Sequence, residues 1–284
     1  MKSLIYYTWR ISLAVLILIV LQIVFSLILG IEENSADWGW ALLSNLLIVL
    51  VLTHAVARSN GSGFKLASAI FLLFFGIYVF NTQIETIFFQ LQIPRIDVIR
   101  IILQGLLVTL LFSPLLVLLL GKMHKSDLNV ESAVQPHFSV MGYIWRFIVC
   151  DISYVFLYII AGAIIFPYIK DFYADAAHMP EPNKILLMQF FRGLVYIVVT
   201  LPIIKMTKGR KLETALMVGL QLSILGGIAP LLPPNPYMPA HVRMIHGIEI
   251  GISNFMYGAI IGLLFASKAS GIVSNMGRTS DGDE

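Results

Sequence analysis

The sequence predicts an all-α protein, a polytopic transmembrane helical bundle of about eight spans. This prediction rests on two observations. Of the 284 residues, 58% are hydrophobic and only 12% are charged, and the mean hydropathy of +0.86 lies well above the values typical of soluble domains. The apolar runs are about 20 residues long, which suits a membrane-spanning helix and is too long for a barrel strand.

Eight apolar segments follow one another along the chain. The first follows a basic N-terminus, is longer than a signal-peptide core and has no small-residue cleavage site after it, so we expect it to be a retained span. Pro114 would kink the fourth helix, and a proline-rich run ends the seventh. The predicted spans are residues 8–31, 38–58, 64–90, 95–120, 141–168, 184–204, 211–229 and 238–266.

The distribution of basic residues predicts the orientation, because cytoplasmic loops carry an excess of Lys and Arg. With the N-terminus inside, 13 of the 19 basic residues lie on the cytoplasmic side, which favours both termini in the cytoplasm and a place in the cytoplasmic (inner) membrane. These 13 are Lys2, Arg10, Arg58, Lys65, Lys122, Lys125, Arg146, Lys205, Lys208, Arg210, Lys211, Lys268 and Arg278.

Two short motifs recur and suggest an internal repeat. YTWR at residues 7–10 resembles YIWR at 143–146, and GFKL at 63–66 resembles GRKL at 209–212. Four spans in each half would make the repeat parallel, related by an axis along the membrane normal. The predicted units are a four-helix half at 1–121, a cytoplasmic linker at 122–140, a four-helix half at 141–268 and a disordered tail at 269–284.

Composition and motifs exclude several classes of protein. The sequence lacks a basic patch with interleaved aromatic residues, which is the pattern that indicates nucleic-acid binding. The expected partner is the lipid bilayer. Cys150 is the only cysteine, which excludes an intrachain disulfide and argues against a Cys-ligated metal. The chain has no G-x-S-x-G, Walker or G-x-G-x-x-G motif, so the serine hydrolase, NTPase and dinucleotide-binding classes have no support.

Ionisable residues inside apolar spans mark the candidate site, because a charge in a membrane helix is costly. In the eighth span, helical spacing places Arg243, His246 and Glu249 on one face, with Asn254 at its margin. Polar residues of the third, fourth and sixth spans lie at a similar depth, at about 1.5 Å of rise per residue. We therefore expect a polar site in the outer leaflet formed by Asn81, Glu85, Gln104, Arg192, Arg243, His246, Glu249 and Asn254.

Transport or binding of a small or lipid-linked anionic ligand is the leading hypothesis for this site. Glu85, His246 and Glu249 would exchange protons or bind cations, and Arg192 would contact the anion. Eight short spans make a small transporter, so a homo-oligomer is one way to enclose a path. A structural or accessory subunit is a further alternative, in which the arginines pair with the carboxylates and the amides tie helices together.

A metal-dependent intramembrane hydrolase is the main alternative. His246 and Glu249 are three residues apart and can reach one ion, and Glu85 would supply a third ligand to a divalent metal such as zinc. The H-E-x-x-H pair typical of zinc hydrolases is missing from the sequence. Outside this cluster, Asp151 in the fifth span is expected to pair with Arg146 or another interior group, with a proton relay as the alternative.

Overall fold

The computed structural model describes residues 2–31, 37–88, 94–124, 138–175, 181–207, 209–235 and 238–266. Eight helices in these ranges are long and apolar enough to cross a membrane, as in a multi-pass membrane protein, and this confirms the prediction of eight helical spans. The helices are α1 Lys2–Leu29, α2 Trp38–Arg58, α3 Gly63–Phe88, α4 Arg95–Leu119, α5 Val140–Asp175, α6 Pro182–Met206, α7 Lys211–Leu231 and α8 Ala240–Phe265. Compared with the predicted spans, α1 begins earlier and α5 ends later.

Local sequence signals set several of the helix ends. The carboxylate of Asp37 accepts a hydrogen bond from the backbone N–H of Gly39 at 3.0 Å and so caps the start of α2. Gly63, with φ of +63°, opens α3, and Gly209, with φ of +131°, lies just before α7. Both backbone conformations favour glycine, because a side chain would be strained there. Short loops with these glycines therefore lead into the third and seventh helices.

Two helices contain a π-helical segment. In α3 this segment is Phe75–Asn81, and in α7 it is Ile224–Ile228. A π-helical turn is wider than an α-helical one, changes the face that the following residues present and is frequent at functional sites. The two π segments contact each other in the interior of the bundle. The least regular parts of the two helices thus meet at one place.

The helix contacts follow the same pattern in the first four and the last four helices. Within the first four, α1 packs against α2 and α4, and α3 packs against α4; within the last four, α5 packs against α6 and α8, and α7 packs against α8. Between the two sets, α3 packs against α6 and α2 against α7. The helices that bear the π segments therefore form the boundary between the two halves.

The most extensive helix pair is α7 with α8, and small residues allow their backbones to meet. A Cβ atom added at Gly258 would lie 2.6 Å from the carbonyl oxygen of Val218 and 2.8 Å from Cα of Gly219. Such close packing through small residues is typical of membrane helices, where apolar side chains gain little from leaving lipid. The backbones of α7 and α8 are consequently packed closely together.

The outer surface of the described bundle is apolar. On α5, the least buried of the eight helices, Ile148, Ile152, Phe156 and Ile159 are exposed on one side. Exposed apolar faces of this extent are rare on soluble monomers. Residues 125–137 of the predicted linker and the predicted disordered tail at 269–284 lie outside the described residues.

Candidate ligand site between the two halves

The candidate site is centred on Arg192 in α6, which is only 3% exposed. Its guanidinium forms an ion pair with the Glu85 carboxylate and donates hydrogen bonds to Asn81 Oδ1 at 3.3 Å and to Gln189 Oε1 at 3.2 Å. Asn81 and Glu85 belong to α3 and Gln189 to α6, so the contacts cross the boundary between the halves. The structure thus brings three of the predicted site residues, Asn81, Glu85 and Arg192, into direct contact.

Local structure explains why these side chains meet. Asn81 is the last residue of the π segment of α3, and Glu85 follows four residues later on the same face. Gln189 and Arg192 are three residues apart and share the face of α6 that packs against α3. A buried arginine requires a counter-charge and acceptors for its five N–H groups. The Glu85 carboxylate supplies the counter-charge, and the amide oxygens of Asn81 and Gln189 supply two of the acceptors.

Two amide donors beside Arg192 are unused. Asn81 Nδ2 and Gln189 Nε2 are buried, and neither makes a hydrogen bond of 3.5 Å or less in the described part of the chain, because each amide turns its oxygen toward the guanidinium. The Tyr158 hydroxyl lies close enough to the Gln189 amide to interact with it weakly. The Glu85 side chain is 30% exposed, whereas that of Arg192 is 4% exposed. The cluster therefore combines one buried cation, two spare N–H₂ groups and one carboxylate that reaches the surface.

Two tyrosines of α5 lie near this cluster. Tyr154 and Tyr158 of α5 lie within electrostatic reach of both Arg192 and Glu85. Tyr158 also lies within electrostatic reach of Glu249 on α8, so both the Arg192 cluster and the acidic group of the eighth helix act on it. Phenol hydroxyls both donate and accept hydrogen bonds. The hydroxyl groups of Tyr154 and Tyr158 can therefore bind polar ligand atoms or relay protons.

His246 and Glu249 form a second pair on α8. Nδ1 of His246 lies 2.9 Å from Oε2 of Glu249, and their side chains are 11% and 7% exposed. The spacing of three residues places them one helical turn apart, as the sequence indicates. Histidine is the side chain that proteins use most often to exchange protons. This pair is a candidate proton site.

Asn254 links three helices. Its amide nitrogen donates to the carbonyl oxygen of Gly226 at 3.1 Å and to the hydroxyl of Tyr196 at 3.3 Å. Gly226 belongs to the π segment of α7. A Cβ atom at Gly226 would stand 2.7 Å from the Tyr196 hydroxyl, so only glycine fits. Asn254 thus fixes the π segment against α6 and α8.

Two predicted site residues make their hydrogen bonds elsewhere. Arg243 donates to the carbonyl oxygen of Met238 at 3.2 Å and so holds the loop before α8. Gln104 donates to Ser26 Oγ at 2.7 Å and to the carbonyl oxygen of Gln22 at 3.1 Å, joining α4 to α1. In these contacts both residues connect neighbouring elements, as interhelical polar groups often do in membrane proteins.

The three candidate metal ligands are divided between two pairs. Glu85 pairs with Arg192, whereas His246 and Glu249 face each other. Within the described ranges, no three His, Cys, Asp or Glu side chains lie close enough together to hold one metal ion. The described geometry therefore offers no complete ligand set for zinc.

The prediction that Asp151 pairs with Arg146 is wrong. Arg146 donates to the carbonyl oxygens of Gly142 at 2.6 Å and Leu264 at 2.9 Å, and its guanidinium lies 3.6 Å from the ring centroid of Phe138. Asp151 is buried, and neither carboxylate oxygen has a hydrogen-bond partner among the described residues. Because the arginine donates to carbonyl groups near the start of α5 and near the end of α8, it does not turn inward toward the carboxylate.

The sequence contained signals for residues that our prediction missed. Gln189 precedes Arg192 by three residues and Tyr196 follows it by four, so all three share a face of α6. Likewise, Tyr154 and Tyr158 share a face of α5 with Asp151, at spacings of three and seven residues. Searching each apolar helix for polar groups on the same face as its charged residue would have found them.

Comparison with protein-family models, with curated proteins and with solved structures finds no match to this chain. The described residues define the class of protein only broadly: eight helices long and apolar enough to cross a membrane, with a buried arginine and a partly exposed glutamate paired where α3 meets α6. The function must be argued from that cluster.

Proposed function

We propose that the protein binds and transports an anionic ligand, a small solute or a lipid-linked group bearing a phosphate or carboxylate, at Arg192, with proton exchange at Glu85. One observation carries this proposal. The buried guanidinium is flanked by two buried amide donors that make no hydrogen bond of 3.5 Å or less, and its counter-charge is a partly exposed carboxylate. Such a cation with spare donors is suited to an anion that arrives from the surface.

The cluster favours exchange of Glu85 for a ligand. A phosphate or carboxylate can accept charge-assisted hydrogen bonds from the guanidinium and further bonds from the Asn81 and Gln189 amides. Once a ligand neutralises Arg192, the released Glu85 carboxylate stands beside another anion. A nearby like charge favours the protonated form of a carboxyl group. Anion and proton are therefore bound together.

The position of the cluster supports a transport pathway. It lies where α3 meets α6, next to π segments that contact each other. Secondary transporters bind their substrates at the interface between repeats, beside irregular helices. The proposal includes a parallel duplication of four helices, supported by the matching helix contacts and by the positive-φ glycines Gly63 and Gly209 in matching motifs.

The proposed orientation has both termini in the cytoplasm and the cluster nearer the outer face of the inner membrane. Its support is the excess of Lys and Arg in alternate loops. In this orientation α3 leaves the membrane on the outside three residues after Glu85, and α6 enters from there ten residues before Arg192. The exposed side of Glu85 then opens toward the outside.

The test is thermal unfolding of the detergent-purified protein with and without anions. Cys150 is fully buried and is the only thiol, so a thiol-reactive dye reports unfolding directly. Inorganic phosphate, acetate and a short-chain phosphatidic acid serve as probes. We expect at least one to raise the Tm of the wild type and to raise that of Glu85→Gln further, because that variant lacks the competing carboxylate.

Three variants make the test selective. Arg192→Gln is expected to abolish the anion effect, and Gln189→Met, which keeps the ion pair but removes a spare donor, is expected to weaken it. Glu213→Gln, in an ion pair with Arg58 away from the cluster, serves as the matched control and keeps the full effect. Equal Tm shifts in the wild type and Arg192→Gln, or no shift with any probe, would refute anion binding at this site.

Proton coupling is tested in the same samples. In weak buffer with a pH-sensitive dye, anion binding by the wild type is expected to take up protons from solution. Glu85→Gln has no acid to protonate at this position, so the uptake is expected to disappear while anion binding persists. Binding without proton uptake in the wild type would leave an anion site and remove the coupling.

A further inference from the structure

We propose that Asp151 is a second proton-binding group of this protein, inside the bundle and connected to the Arg192 cluster through Tyr154 and Tyr257. This inference rests on the proposed function, because it names the interior acid of the same proton-coupled site. The prediction from sequence assigned Asp151 a salt bridge that the structure lacks. Its surroundings suit a carboxyl group that carries a proton.

Asp151 is 1% exposed, and both of its carboxylate oxygens lack a hydrogen-bond donor among the described residues. A carboxylate buried without a donor or a cation is strongly disfavoured. A protonated carboxyl is uncharged and needs only an acceptor for its own hydrogen. The environment therefore stabilises the proton-bound form of Asp151.

Gly193 is the point where three polar side chains meet. The Asp151 carboxylate lies so close to the Gly193 backbone that a Cβ atom there would overlap it, and Tyr154 lies 3.0 Å from the same position. The Tyr257 hydroxyl donates to the Gly193 carbonyl oxygen at 2.9 Å. Tyr257 lies within electrostatic reach of Asp151. Because its hydroxyl hydrogen is used, its oxygen presents only lone pairs to the region, which favour a protonated carboxyl over a carboxylate.

Tyrosines connect Asp151 with the cluster. The ring centroids of Tyr154 and Tyr257 are 4.7 Å apart, and Tyr154 lies within electrostatic reach of Arg192 and Glu85. Arg192 directly precedes Gly193 in α6. Protonatable groups thus extend from Glu85 at the surface to Asp151 in the interior, and hydroxyl groups can both donate and accept along this line.

The groups that face this region come from three helices. On α5 itself they are Cys150 and Tyr154; α6 contributes Arg192 and Tyr196, and α8 contributes Tyr257. Arg192 is the only cation of this set, and Glu85 neutralises it. None of the set is a carboxylate that could share a proton with Asp151. A proton is therefore the smallest species that can balance its charge.

The test is infrared difference spectroscopy of the protein in liposomes while the pH is stepped. We expect the wild type to show the carbonyl-stretch band of a neutral carboxyl group. This band is expected to disappear as the pH rises and to shift in D₂O. Asp151→Asn is expected to lack this band, whereas Asp171→Asn, an exposed aspartate on the same helix, is expected to keep it. The Asn variant preserves shape and neutrality, and its folding is checked by tryptophan fluorescence.

Three results would overturn the inference. They are a wild-type spectrum without this band, a band that neither responds to pH nor exchanges in D₂O, and a band that is removed by Na⁺ at constant pH. Tyr257→Phe provides an independent check if Asp151→Asn fails to fold. Loss of this nearby hydroxyl is expected to shift the frequency and the midpoint of the Asp151 band, and an unchanged band would count against the inference.

Failure of this inference is distinguishable from failure of the proposed function. Asp151→Asn is expected to keep the anion-dependent Tm shift, because Arg192 and its amide neighbours are untouched. If the anions shift the Tm but Asp151 does not titrate, only the inference is lost. If Asp151 titrates but no anion shifts the Tm, the proton site stands and the anion proposal fails.

Discussion

The Arg192 guanidinium and the Glu85 carboxylate form an ion pair that joins α6 to α3, with the arginine buried and the carboxylate partly exposed. Buried ion pairs add little net stability, but removing one partner is costly because it leaves the other charge unpaired. The arginine is enclosed, whereas the carboxylate borders the surface. In the proposed function, the carboxylate turns outward and a ligand anion takes its place.

Glu85→Gln and Arg192→Gln are each expected to lower the free energy of unfolding by about 3 kcal/mol, since each leaves the partner charge uncompensated. The double variant is expected to lose clearly less than the sum, because no unpaired charge remains. Denaturation in mixed micelles measures all four proteins. Additive losses would mean that the two side chains do not act as a pair.

The Arg58–Glu213 ion pair provides the internal comparison. Its side chains are 41% and 42% exposed, and it joins the end of α2 to the start of α7. Exposed ion pairs contribute at most about 1 kcal/mol. We therefore expect Glu213→Gln to change the free energy of unfolding by less than that amount, and an equal loss in both pairs would remove the distinction drawn from burial.

Metal content separates a proton site at His246 from a metal site. Because His246 and Glu249 face each other and Glu85 is paired with Arg192, we expect protein purified without chelator to contain far less than stoichiometric zinc. Elemental analysis of the wild type beside His246→Ala and Glu249→Gln measures this directly. Near-stoichiometric metal that disappears in both variants would support the hydrolase alternative instead.

The fold was largely predictable, because hydrophobic length alone determines membrane-type helices. Breaker residues located the ends well, as at the prolines that follow α7. The π segments were not predictable from periodicity, because a single wide turn shifts the pattern by less than the scatter of the apolar residues. The π segments of α3 and α7 are therefore evident only in the structure.

The site was predictable in part. Asn81, Glu85 and Arg192 are in contact as the depth argument requires, since depth follows from the rise per residue. However, the depth of a residue does not determine the direction in which its side chain points around the helix axis. Whether a residue reaches a neighbour depends on how its helix is rotated and packed. For this reason Gln104 bonds to α1 and Asp151 has no arginine partner, although both lie inside apolar helices.

The orientation prediction can be tested with single-cysteine variants in a Cys150→Ala background. Ser35→Cys lies between α1 and α2 and is expected to react with a membrane-impermeant maleimide in intact cells. Ser126→Cys lies between α4 and α5 and is expected to react only after lysis, because the basic loops remain in the cytoplasm. The opposite labelling would invert the bundle and place the Arg192 cluster toward the inside.

Helix contact through glycine gives the sharpest test of packing. A Cβ atom at Gly258 would meet backbone atoms of Val218 and Gly219, which can move only if α7 and α8 separate, so Gly258→Ala is expected to cost about 1–3 kcal/mol. Gly162→Ala on α5 meets nothing within 4 Å. That control is expected to be neutral or to gain up to about 1 kcal/mol from helix propensity.

Reaction of the buried Cys150 thiol with the dye on heating ranks both glycine variants against the wild type. Because α8 carries Asn254, His246 and Glu249, separation of α7 from α8 would also disturb the π segment that Asn254 holds. Gly258→Ala is therefore expected to weaken anion stabilisation as well as fold stability, whereas Gly162→Ala should leave both intact. A stable Gly258→Ala protein with full anion response would show that the site does not depend on the α7–α8 contact.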